Sequence, residues 1–154
     1  MSDAPLSAIV NVRVVDERLG TSGQPNEAQL ADIAAAGYEV VINLALHDDP
    51  RYSLQDERGT VEALGMAYVH IPVVFSAPKD EEVARFFDAM DAHEDRKVWV
   101  HCAANYRVSA FLGLYRVLRQ GWDRDKAFEQ LQSFWEPNEV WRALIERTLA
   151  TSAG

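Results

Sequence analysis

Short continuous apolar runs alternate along this chain with longer stretches in which apolar residues recur at helical spacing. Val12 to Val15 and Leu19 to Thr21 read as two short strands joined by a polar turn. Ser22-Gly23-Gln24-Pro25 then leads into a helix capped by Asn26, with Gln29 three positions on, Leu30 and Ile33 at helical spacing, and Gly37 as its left-handed stop. Val40 to Leu44 is a nearly unbroken apolar run between turn signals, which suits a strand buried on both faces. The pattern repeats with a helix from about Ser53 to Leu64, ended by Gly65, and a strand over Ala67 to Val73. An acidic-headed helix from about Asp80 to Ala92 and a strand from Lys97 to His101 follow. From Arg107 onward only helices are predicted, with breaks near Gly121 and at Pro137.

Strands that alternate with helices imply right-handed crossovers, so the expected fold is α/β, a mainly parallel central sheet flanked by helices with a helical C-terminal third. The chain has 154 residues, 48% of them hydrophobic, and no repeat or linker; a single domain over 1–154 with its own core is expected. A net charge of -9 argues against general binding to nucleic acid or anionic lipid, both of which need basic patches. A small phosphorylated ligand can still be held by a local positive site. No apolar run approaches the roughly 20 residues that span a bilayer. Met1 to Val15 has no basic region followed by a signal-length apolar stretch, and one cysteine cannot form an internal disulfide, so a soluble cytoplasmic protein is expected.

That single cysteine is where the chemistry concentrates. Cys102 follows the apolar strand Val98-Trp99-Val100-His101 and precedes a helix marked by Phe111, Leu112, Leu114, Tyr115 and Leu118. In parallel sheets, ligands bind beyond the carboxyl ends of strands, and a strand-to-helix loop offers backbone N–H groups to an anion. The helix dipole and the nearby Arg107 both favour a thiolate at Cys102, and the small Ala103 and Ala104 let a ligand approach the backbone. Arg107 can grip an oxyanion with its planar fork, while Tyr106 stands where an aromatic rim could stack on an aryl group or simply shield the thiolate.

The loop, with Thr21-Ser22-Gly23-Gln24-Pro25, Val41-Ile42-Asn43-Leu44, Tyr68-Val69-His70-Ile71-Pro72-Val73 and Val98-Trp99-Val100-His101-Cys102, resembles the small bacterial members of the dual-specificity branch of the protein tyrosine phosphatases. The likeness covers the chain to about Leu118. It implies a His-Cys-x-x-Gly-x-x-Arg-Ser/Thr signature in which the cysteine attacks phosphorus, arginine and backbone amides hold the phosphoryl oxygens, and a hydroxyl aids breakdown of the phosphocysteine. Carried over, Cys102 is the nucleophile, Ser109 the hydroxyl residue, and Ala103, Ala104, Asn105 and Tyr106 the substrate-binding loop; His101 supports the cysteine by hydrogen bonding. Two departures stand out. Asn105 replaces the glycine, a substitution its tolerance of positive φ allows, and Arg107 comes one residue early, with Val108 in the usual arginine place. One helical step rotates a side chain by about 100°, so Arg107 must reach a phosphate from another direction or the loop must be re-wound.

The resemblance also places a general acid in the loop after the strand Ala67 to Val73. Asp80 is the nearest carboxylate there and is the candidate acid, although with Glu81 and Glu82 it also complements the start of a helix. Asp48 and Asp49 are further candidates, or simply a turn before Pro50. A stable leaving anion lessens the need for an acid, which favours aryl phosphates such as phosphotyrosine over alkyl ones. The expected partner is thus a phosphorylated protein or a small phosphate ester.

His47, His70 and His93 are not spaced as metal ligands, and neither metal nor organic cofactor is expected. The spacing among Phe128, Leu131, Phe134, Trp135, Val140, Trp141 and Ile145 favours core packing over a recognition surface. Rhodanese-type sulfurtransferases also use a strand-end cysteine in a Cys-x4-Arg loop, so sulfur transfer is the main alternative. A non-catalytic phosphate-binding module is the third.

Overall fold

The structure is a computed structural model that describes residues 6–46 and 53–153. Among the described residues, five strands form one sheet in the order β1-β2-β5-β3-β4: β1 (Arg13–Val14), β2 (Leu19–Ser22), β3 (Val40–Asn43), β4 (Ala67–His70) and β5 (Val98–His101). Only β1 is antiparallel, paired with β2 across the expected polar turn; every other neighbouring pair is parallel. The helices are α1 (Glu27–Ala35), α2 (Glu57–Ala63), α3 (Asp80–Ala92), α4 (Tyr106–Leu118), α5 (Arg124–Ala127), α6 (Glu129–Phe134) and α7 (Glu139–Ala153). This is the expected α/β architecture, a mainly parallel sheet flanked by helices, with its C-terminal third helical.

Alternation along the strands sorts side chains into two cores, one per face of the sheet. Val40, Ile42, Val98 and Val100 point to the face covered by Phe86 of α3, Phe111 of α4 and Trp141 of α7. Val41 and Trp99 point the other way, to Leu30 and Ile33 of α1, Val61 of α2, and the N-terminal Leu6 and Ile9. Central strands buried on both faces explain why these segments read as apolar runs rather than as an alternating pattern.

The ends follow local chemistry. Asn26 caps α1 through the reciprocal bonds with Gln29, and Gly37 at φ 96° turns the chain out of it. The helix expected from about Ser53 begins four residues later, at Glu57, because the Asp56 side chain accepts from Gly59 N at 3.1 Å and so fixes the cap there. Strand β4 stops at His70 although Ile71 and Val73 still donate to Asn43 and Leu44; Pro72 has no N–H to continue a ladder. The C-terminal break at Gly121 adopts φ 71°, and a further break at Phe128 separates α5 from α6.

Within α4, Gly113 faces Phe128 so closely that a Cβ would lie 2.4 Å from the ring. Gly113→Ala gains up to about 1 kcal/mol of helix propensity but overpacks the α4–α5 contact by about 1–3 kcal/mol. A net loss is expected, read as a melting temperature lower by a few degrees.

Candidate active site

Register brings the carboxyl ends of three strands level. Ser22 of β2 and Asn43 of β3 both pair with His101 of β5, so Cys102 leaves the middle of the sheet between two neighbouring strand ends. The loop that follows is held from both sides. Cys102 N donates to Ser22 O, Gln24 N donates to Ala103 O at 3.0 Å, and Asn11 Nδ2 donates to Ala104 O at 2.9 Å. The loop carbonyls are thereby turned outward. Among the described residues, no acceptor engages the backbone N–H groups of Ala103, Ala104, Tyr106 or Arg107.

Asn105 takes the left-handed conformation, φ 69° and ψ 4°, and starts α4 at Tyr106. Its amide also works as a hub, which the sequence did not disclose. Asn105 Nδ2 donates to Asn11 O at 2.8 Å and to Thr21 Oγ1 at 3.2 Å, while Oδ1 accepts from Gln130 Nε2 at 3.2 Å. A glycine could supply the turn but none of these ties.

Arg107 is almost fully buried, and Nη1 donates to Val73 O at 2.8 Å, at the exit of β4. Its Nε is buried with no acceptor among the described residues. Val108, where the usual arginine would stand, is wholly inside the core. The early arginine therefore lies on the side of α4 that faces the β4 exit, and the guanidinium keeps a donor for an additional acceptor. Cys102 itself has no exposed surface.

His101 and Glu57 form a fully buried pair beneath the loop, Nε2 to Oε2 at 2.6 Å, with His101 Nδ1 3.3 Å from Cys102 O. Glu57 Oε1 also accepts from Gln24 Nε2 at 2.8 Å. Burial, and then the neighbouring Glu57 carboxylate, raise the Tyr68 hydroxyl far above its ordinary range, so it remains a hydroxyl; it accepts from Asn43 Nδ2 at 3.0 Å. Glu57 and Gln24 are thus supports for the loop that sequence reasoning missed. Glu57 has no assigned role in the sequence, and Gln24 stands there only within the stretch that leads into α1.

Other expected residues fall differently. The Ser109 hydroxyl donates to Tyr106 O at 2.8 Å and accepts from Trp135 Nε1 at 3.0 Å, so its one proton is committed away from sulfur. Asp80 is exposed and accepts from Arg147 Nε at 2.9 Å, in a groove with Phe87 and Arg119 that contains none of the loop residues. The structure does not bring Asp80 to Cys102, because position one of α3 directs its carboxylate to α7. Asp80→Asn should change aryl phosphate turnover by less than about threefold, since an exposed pair of this kind contributes little; steady-state kinetics check it. Asp48 and Asp49 lie outside the described residues, as does His47.

Tyr106 stacks on Trp135 with ring centroids 5.0 Å apart and planes 1° from parallel. Phe75, two residues beyond the carbonyl held by Arg107, is 5.5 Å from the same indole, and Trp141 Nε1 donates to Phe75 O at 2.7 Å. Trp141 is core, as its spacing suggested, but Trp135 is only half-buried and belongs to an aromatic wall beside the loop. Lone pairs, ring faces and a buried cation converge on one strand end.

Residues 11–142 match the family described as DSP-PTPase phosphatase fused to NAD+ kinase. The chain belongs to this DSP-PTPase-like phosphatase family. A solved DUF442 protein from Shewanella putrefaciens is 37% identical with a TM-score of 0.85, covering 96% of this chain and 97% of that one. The beta-lactamase hydrolase-like protein of Xylella fastidiosa is 31% identical over 119 residues, 75% of this chain and 27% of that protein. The dual specificity protein phosphatase TpbA of Pseudomonas aeruginosa is 26% identical over 125 residues, 80% of this chain and 54% of TpbA. The chain thus spans about a quarter to a half of these two relatives. TpbA has also been solved as a cysteine-to-serine variant in complex with pTyr; that structure shares the fold, with a TM-score of 0.69 at 20% identity, 94% of this chain and 91% of that one. Among the described residues, no helix of this DSP-PTPase-like chain is long and apolar enough to cross a membrane.

Proposed function

We propose that this chain is a cysteine-dependent phosphatase that hydrolyses phosphate monoesters, aryl phosphates such as phosphotyrosine in preference, through a phosphocysteine intermediate. The observation that carries the reading is the buried Arg107 guanidinium, with an unpartnered Nε, beside a cysteine-led loop whose N–H groups at Ala103, Ala104, Tyr106 and Arg107 have no acceptor among the described residues. Cys102 Sγ attacks phosphorus, the P–O bond to the aryl group breaks, and the aryl oxide leaves. Water then attacks phosphorus, the S–P bond breaks, and phosphate departs with the thiolate restored. Arg107 and the loop amides stabilise the charge on the equatorial oxygens in both steps. Glu57, the carboxylate recorded against the loop among the described residues, is buried and bonded to His101 and Gln24, which favours a leaving group stable as an anion.

The aromatic wall of Tyr106, Trp135 and Phe75 supports an aryl substrate, and the phosphotyrosine bound by the TpbA variant points to the same class. A phosphorylated protein and a small aryl phosphate both meet this description. Because Cys102 is covered, the rim must move for substrate to reach sulfur. Phosphate binding without turnover is the second reading, favoured by the diverted Ser109 hydroxyl, which leaves phosphocysteine breakdown without its usual aid.

One pair of incubations separates these readings from sulfur transfer. With an aryl phosphate, the wild-type chain should release phosphate and Cys102→Ser should not. With thiosulfate and cyanide, no thiocyanate should form. Thiocyanate without phosphate release would replace the reading with a sulfurtransferase, and neither product would leave a binding module.

A further inference from the structure

Nine residues beyond Arg107 along the same helix, Arg116 is a second buried guanidinium with a different neighbourhood. It is 6% exposed, yet no hydrogen bond or ion pair to any described residue engages it. Its close partner is the Trp122 ring, 4.3 Å from Cζ to the centroid, brought back over it because Trp122 N donates to Arg116 O at 2.9 Å after the left-handed turn at Gly121. Lys126 Nζ lies 5.2 Å from the same ring and likewise has no carboxylate partner among the described residues. Arg13 completes a cationic wall around a cavity of about 210 Å³, which Glu129 and Gln130 also line.

The nearby acids are occupied elsewhere. Glu129 is paired with Arg13, and Asp16 Oδ1 accepts from the backbone of Arg18 and Leu19 at 2.8 and 2.9 Å. Both act on Arg116 only at a distance, and burial, the larger influence, lowers its basicity without removing a charge that arginine keeps under ordinary conditions. A cation held by a ring face, with two carboxylates acting only at a distance, leaves its N–H donors to the cavity. Its planar fork and the flexible ammonium of Lys126 at the exposed rim form a complementary pair of donors for oxygen atoms. The cavity is smaller than the range of about 300–1,000 Å³ usual for drug-sized ligands, so its occupant is compact.

We propose that Arg116, Lys126 and Arg13, around Trp122, form a second oxyanion-binding site that takes a compact phosphate or carboxylate. Gln130 separates the site from Cys102 and Arg107: it forms part of the cavity wall and donates to Thr21 Oγ1 at 3.0 Å and to Asn105 Oδ1 of the cysteine loop at 3.2 Å. The site does not depend on the phosphatase reading, because none of its residues touches Cys102 or Arg107 in any recorded contact.

The test follows the indole N–H signals of the four tryptophans by NMR in the full chain, titrated with inorganic phosphate and, separately, with succinate against chloride at equal ionic strength. The Trp122 signal, identified with Trp122→Phe, should shift saturably in the millimolar range or below with at least one of the two anions. The shift should survive in Arg107→Met, where the cysteine loop no longer grips oxyanions. It should weaken roughly tenfold or more in Arg116→Met and several-fold in Lys126→Ala. Lys126 is exposed and can be removed without disturbing the fold, so its effect is readable even if Arg116→Met does not fold. Response to phosphate alone assigns the site to phosphate groups, and response to succinate alone assigns it to carboxylates. No saturable Trp122 shift with either anion, or a shift equal in wild type and Lys126→Ala, would overturn the proposal.

Discussion

Arg107→Lys is expected to lower kcat/KM on an aryl phosphate by roughly a hundredfold or more, about 3 kcal/mol of transition-state stabilisation. The size follows from what lysine lacks. Arg107 spends Nη1 on Val73 O and still holds a buried Nε free, so one planar group can brace the β4 exit and grip an oxygen together. An ammonium is a point charge that cannot keep both directions at once. Val108→Ala is the informative partner. Val108 is fully buried in the core, so its truncation should lower stability by about 1–3 kcal/mol while leaving kcat/KM within a few-fold of wild type. If the residue in the usual arginine place proved to govern rate and Arg107 did not, the loop would be wound differently from the one described.

The second large effect is on stability. Glu57→Ala should destabilise the fold by about 3 kcal/mol, a substantial part of the roughly 5–15 kcal/mol that holds a domain together. Glu57 is 1% exposed and accepts from both His101 and Gln24, so its removal leaves the buried His101 Nε2 without its acceptor and the half-buried Gln24 Nε2 with Pro25 O. Glu57→Gln keeps the shape and some of the bonding, so its loss should be smaller. Chemical denaturation of the three proteins measures the series, with the midpoint moving at constant slope. Activity should fall further than the folded fraction does, since His101 Nδ1 faces Cys102 O and the pair sets the height of the loop.

The elements were legible where one local cause decides them. Helix α3 falls on Asp80–Ala92 as its acidic head and apolar spacing predict, and the Asn26–Gln29 cap fixes the start of α1. The place of the loop was legible too, because an apolar strand followed by Cys102 and a helix puts the thiol at a carboxyl edge of the sheet. What the sequence withheld depends on contacts across long separations. Glu57 lies 44 residues from His101, Asn11 lies 94 from Asn105, and Gln130 lies 109 from Thr21. No periodicity or spacing carries such pairs, and each of these polar residues has an ordinary local reading as a cap, a turn or a helix surface. Asp80 and Ser109 show the opposite case. Their sequence positions fit the family's chemistry, but the direction of a helical side chain depends on which neighbour it packs against, here Arg147 and Trp135. Trp135 shows the same limit, since helical spacing cannot tell a core ring from one stacked at the edge of a site.

The most direct test of the central claim is to trap the covalent intermediate. The wild-type chain, mixed with an aryl phosphate labelled in its phosphoryl group and quenched by rapid denaturation within one turnover, should carry label on a single peptide containing Cys102, with phosphorus bonded to sulfur. The label should be absent from Cys102→Ser and much reduced in Arg107→Lys. Phosphate release by the wild type with no label at Cys102, or equal release by wild type and Cys102→Ser, would contradict the account.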